Sequence, residues 1–95
     1  MIWPVPIRVA GITRYLRRME DLASDRIMLM READNRQDTN AIAVFSLRDN
    51  DWTDRQKVGY IPKEISANLK TQQFPVWGTV VWKSNRQLPG IRIQV

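Results

Sequence analysis

Arg31-Glu32-Ala33-Asp34-Asn35-Arg36-Gln37-Asp38-Thr39-Asn40-Ala41-Ile42 is a polar loop held between two apolar runs, the pattern of a connection between two β-strands. Upstream, Ile27, Met28, Leu29 and Met30 stand in a row, which suits a strand covered on both sides. Downstream, Ala41 to Leu47 is a second strand candidate, and Gln56 to Ile61 is a returning strand that runs into Pro62. Between those two, Asp49-Asn50-Asp51-Trp52-Thr53-Asp54 reads as an exposed hairpin loop. Polar loops carried on a small β scaffold are where binding residues concentrate.

Toward the N-terminus, Ile7 and Val9 alternate with Arg8 and Ala10 as in a strand with one buried face, and Pro4 and Pro6 restrict the lead-in to a sheet edge. Gly11 ends that strand. Thr13 is placed to cap a short helix in which Tyr15, Leu16, Met19 and Leu22 recur at helical spacing. Arg14, Arg17 and Arg18 crowd its early turns and oppose the helix dipole, so they serve either a ligand or a solvated face. Toward the C-terminus, Pro62 fits the first turn of a second short helix, with Ile65 and Leu69 as its apolar stripe and an end near Lys70. Phe74 to Lys83 reads as a long strand with two apolar faces, one of them Val76, Gly78, Val80 and Trp82, which places Trp77 and Trp82 in the core or barrel wall. Ser84 to Gly90 turns the chain, and Ile91, Ile93 and Val95 alternate in a closing strand.

These elements predict a mainly β domain, a small closed or partly closed antiparallel β-barrel of about six strands plus two short helices. Closure would remove the exposed edges that so much strand creates. A chain of 95 residues with 43% hydrophobic content fits one domain spanning residues 1–95 with one modest core.

The inventory is as informative as the pattern. The chain has no cysteine and no histidine, which excludes disulfides, thiolate zinc sites, cysteine nucleophiles and imidazole bases. Asp49, Asp51 and Asp54 superficially resemble a calcium loop, but Asp54 stands where that loop needs Gly and Tyr60 where it needs Glu. Asp34 and Asp38 lack the partners of a metal nuclease, so no catalytic residue, metal or cofactor is expected. Net charge is +5, and from Arg55 onward seven basic residues face the single acid Glu64. Such a surface attracts polyanions through phosphate neutralisation, or is simply solvated. The opening residues lack a signal-peptide pattern and no run approaches a membrane span, so an intracellular, cytoplasmic protein is expected, nucleoid-associated in a bacterial host.

Three segments carry a resemblance. Val9-Ala10-Gly11-Ile12-Thr13, then Arg31 through Ile42 with Asp38-Thr39-Asn40-Ala41-Ile42 at its centre, then Val58-Gly59-Tyr60-Ile61-Pro62-Lys63-Glu64, are similar to the signature segments of the HIRAN domain family in order and spacing. The resemblance implies an OB-like β-barrel with short helices. The family includes accessory modules of DNA-repair and fork-remodelling helicases and stand-alone proteins, and this short chain reads as a stand-alone member. Its best-understood members capture the 3′ end of single-stranded DNA. Arg14 and Tyr15 approximate the Arg and aromatic that follow the first strand's glycine in the family, Asp38 matches the Asp that bonds the terminal sugar hydroxyl, and Tyr60 matches an aromatic or His position. Gln37 stands where the family has a stacking aromatic, and Arg36 replaces a Pro.

The nucleic-acid-binding set implied is therefore Arg14, Tyr15, Arg36, Gln37, Asp38, Tyr60, Lys63 and Trp52. Trp52, in its polar loop, either replaces the missing stacker or folds back onto a neighbouring strand. Asp38 likewise has two readings. It accepts a hydrogen bond from a sugar hydroxyl, or it braces its own loop together with Asp34, Asn35 and Asn40. The expected partner is single-stranded DNA or a DNA end, in repair or replication. The alternative is a small adaptor that binds a helicase or another protein.

Overall fold

The computed structural model describes residues 6–49, 51–85 and 87–95, with side chains for all of them except Asp51 and Trp52. Pro4, which belongs to the expected edge lead-in, lies outside the described residues, as does Asn50. Six strands form one antiparallel sheet: β1 (Ile7–Arg8), β2 (Arg26–Arg31), β3 (Ile42–Arg48), β4 (Asp51–Tyr60), β5 (Val76–Lys83) and β6 (Ile91–Gln94), in the order β1-β6-β5-β2-β3-β4. The sheet curls until its outer strands meet. Just past β1, Ala10 exchanges two backbone hydrogen bonds with Tyr60 at the end of β4, at 2.7 and 2.9 Å. This is the curled, OB-like small barrel that the strand pattern predicts.

Alternation explains what fills it. Ile7, Ile27, Leu29, Ile42, Val44, Val58, Ile91 and Ile93 project inward and are buried, joined by Leu16, Ile61 and Leu69 from the connections. Each such aliphatic side chain contributes roughly 1.5–3 kcal/mol through burial. The continuous apolar run of β2 is covered on both faces, as expected. Ile27 and Leu29 enter the core, while Met28 lies on the outer face in register between Phe45 of β3 and Trp77 of β5.

Three expectations about the connecting segments are corrected. The segment after Gly11 is not a helix capped by Thr13 but two single 3-10 turns, Ile12–Arg14 and Met19–Asp21. Gly11, at φ 71, starts the first turn, and Arg18 is extended between them, so Leu16 reaches the core without a continuous helix. The second helix is α1 (Lys63–Ser66), one turn long with Pro62 at its N-cap, and the chain tightens into 3-10 bonds at Asn68 and Leu69 rather than continuing to Lys70. The hairpin loop is shorter than Asp49 to Asp54, because β4 already begins at Asp51 and Asp49 takes a left-handed turn conformation at φ 53.

The largest correction concerns the tryptophans. Trp77 is 53% and Trp82 45% exposed, so neither is core, and both belong to the barrel wall as residues of β5 that face outward. Trp77 falls on the outer face by simple alternation. Trp82 would share the inner face with Val80, but β5 bulges there: Val80 pairs with Ile93 and Trp82 with the next residue, Arg92, leaving Val81 unpaired. The extra residue turns the indole outward.

Candidate nucleic-acid interface

The polar loop between β2 and β3 is shaped by its own side chains. Asn35 Oδ1 accepts hydrogen bonds from the amides of Gln37 (3.0 Å) and Asp38 (3.1 Å), and Asp38 Oδ1 accepts one from the Asn40 amide (2.9 Å). Asn35 also donates to Glu32 Oε1 at 3.2 Å. The bracing reading of Asp38 is therefore correct for one carboxylate oxygen. The other, Oδ2, accepts no hydrogen bond among the described residues, and Asp38 is only half-buried.

A groove of about 250 Å³ runs beside this loop at the seam where the barrel closes, lined by Ala10, Arg14, Asn35, Gln37, Asp38, Ala41, Tyr60, Ile61 and Lys63. Three segments distant in sequence thus meet: the turn after Gly11, the polar loop, and the junction of β4 with α1. Of the residues singled out from the sequence, Arg14, Gln37, Asp38, Tyr60 and Lys63 line the groove together. Tyr15 stands next to it, its ring 6.3 Å from that of Tyr60 and tilted by 60°. Arg36 is exposed on the same loop without lining the groove. The side chain of Trp52 lies outside the described residues.

Behind the groove is a charged cluster that the sequence reading missed. Lys57 pairs with Glu32 Oε2, and the Tyr60 hydroxyl donates to Glu32 Oε1 at 2.9 Å. The Lys57 ammonium lies 4.7 Å from the Tyr60 ring centre and 5.7 Å from that of Tyr15, so one cation holds both tyrosines. Glu32 and Lys57 are 25 residues apart and carry no motif; only the strand register could have exposed them. Burial opposes the charge on Glu32, but hydrogen bonds from Lys57, Tyr60 and Asn35 outweigh it and hold the carboxyl below its ordinary value. Burial likewise opposes the Lys57 charge, and the pairing with Glu32 carries the ammonium well above its ordinary range. Burial, with the hydrogen bond given to Glu32, pushes the Tyr60 phenol up.

The sign of these shifts sets a pH profile. Stability from Glu32 is present above its ordinary pKa of 4.5 and is lost as pH falls through the lower folded value. Stability from Lys57 is present below 10.5 and is lost as pH rises through its higher folded value. Glu32→Gln is expected to flatten the acid limb and to cost roughly 1–3 kcal/mol at neutral pH. Denaturant melts across pH check this, and an acid limb unchanged from wild type contradicts it.

The HIRAN domain profile matches residues 7–81, most of the chain and both sides of the groove. The chain belongs to the HIRAN family. No curated protein and no solved structure matches it. The HIRAN domain is known as a DNA-binding module in the context of helicase-related proteins, which supports a nucleic-acid partner for the domain. No helix among the described residues is long and apolar enough to cross a membrane.

Proposed function

We propose that this HIRAN domain captures the 3′ end of single-stranded DNA, in the service of repair or replication. The reading rests on one observation: Arg14, Gln37, Asp38, Tyr60 and Lys63 converge on a single groove from separate segments. Arg14 and Lys63 hold phosphates near the terminus. Asp38 Oδ2 accepts the terminal 3′-hydroxyl, a job that justifies a carboxylate beside phosphates. Tyr60, ordered by Glu32 and Lys57, gives the terminal nucleoside a fixed wall, and Gln37 replaces stacking with amide hydrogen bonds. Tyr15 buttresses Tyr60, while Arg36 acts on the strand from the groove's surroundings.

The experiment exploits the two oxygens of Asp38. In Asp38→Asn the amide oxygen still serves the Asn40 amide, but the second position becomes a donor that cannot accept a hydroxyl proton. Oligonucleotides labelled at the 5′ end and ending in a 3′-hydroxyl or a 3′-phosphate are titrated against wild type and variant. Wild type is expected to prefer the hydroxyl by about tenfold, the worth of a hydrogen bond to a charged group, and Asp38→Asn to lose that preference. Equal affinity of wild type for both ends contradicts the reading.

A further inference from the structure

Three side chains from neighbouring strands form a row across the outer face of the barrel. Arg8 of β1 lies opposite Arg92 of β6, and Arg92 lies opposite Trp82 of β5. All three are exposed, and the Arg92 guanidinium sits 4.8 Å from the Trp82 ring centre. Like charges directly across a ladder repel and work against the fold. Among the described residues, no carboxylate is within ion-pairing distance of Arg8 or Arg92. An anion placed between the two arginines removes that repulsion.

The row borders a second groove, of about 620 Å³, formed by the Arg8 to Thr13 segment on one side and the β5–β6 turn on the other. Ala10 lines both this groove and the one beside Asp38, so the two lie next to each other at the closing seam. At Gly11, which lines this second groove, a β-carbon would have nothing within 4 Å, so the turn leaves open space there. An exposed indole with cations beside it is the combination that holds single strands, through stacking and phosphate neutralisation.

We propose that the row Arg8, Arg92 and Trp82 is a second nucleic-acid subsite that takes nucleotides upstream of the three at the bound end. A base stacks on Trp82 in place of the guanidinium, and Arg92, so released, joins Arg8 on the backbone phosphates. The strand's direction rests on the terminus reading under Proposed function; the subsite residues do not.

An oligo-dT trinucleotide and a dodecanucleotide, each with a free 3′-hydroxyl, are titrated at two salt concentrations against wild type, Trp82→Ala, Trp82→Phe and the Arg8→Gln/Arg92→Gln double variant. Trp82→Ala is expected to weaken the dodecanucleotide by about tenfold, with Trp82→Phe restoring most of it. The double variant is expected to lower the salt slope for the longer strand by about 1.4 while melting no lower than wild type. Trinucleotide affinity stays unchanged throughout. Variants that bind the dodecanucleotide like wild type, or that lose the trinucleotide equally, overturn the subsite. Trp82-dependent binding of the longer strand with no preference for a 3′-hydroxyl over a 3′-phosphate supports the subsite and overturns the terminus reading instead.

Discussion

Gly59→Ala is expected to open the barrel. A β-carbon at Gly59 would come within 2.5 Å of the Ala10 carbonyl oxygen and 2.6 Å of Val9 Cγ1. That oxygen is the acceptor for the Tyr60 amide, at 2.9 Å, in the bridge that joins the sheet's two outer strands. Backbone cannot give way there without losing the closure, and Val9 is itself buried at 3% exposure. Overpacking a tight site costs about 3 kcal/mol at the upper end of its usual range, which for a domain of this size lowers the melting temperature by about 12–24 °C. Gly11→Ala is the matched control. Gly11 also has a positive φ, 71, but faces open space, so only the left-handed strain of roughly 1–2 kcal/mol applies. Thermal melts decide the matter, and Gly59→Ala melting no lower than Gly11→Ala contradicts a tightly closed seam.

Reversing both groove cations, with Arg14→Glu and Lys63→Glu together, is expected to weaken binding of a single-stranded oligonucleotide by about 100-fold at low salt. Both side chains are exposed, and neither forms an ion pair among the described residues, so folding has little stake in them. With two fewer phosphates neutralised, the salt slope falls by about 1.4. The signature is therefore affinity and salt dependence falling together while the melting temperature stays near that of wild type. Unchanged affinity places the polyanion elsewhere on this basic surface.

Much of this was legible because it is periodic or chemically singular. The apolar run from Ile27 to Met30, the alternation from Ile91 to Val95 and the density of Asp and Asn between Asp34 and Asn40 each dictate local structure directly. What escaped depends on distant partners. The outward turn of Trp82 follows from a bulge defined only by pairing with β6, since alternation alone places the residue with Val80. The segment from Ile12 to Leu22 has helical spacing, yet tertiary anchoring of Leu16 and the extended Arg18 divide it into separate turns. At the candidate site, the groove residues could be named from the sequence, but the Glu32–Lys57 pair that orders Tyr60 could not.

Whether a DNA end sits at the seam beside Asp38 is decided by an amide NMR shift map, recorded while a short single-stranded oligonucleotide with a free 3′-hydroxyl is titrated into the domain. The largest shifts are expected at Ala10, Gln37, Asp38, Ile61 and Lys63, with Met28, Met30 and Trp77 on the outer face unmoved. Shifts concentrated on that outer face, with the amides around Asp38 silent, would contradict binding at the seam.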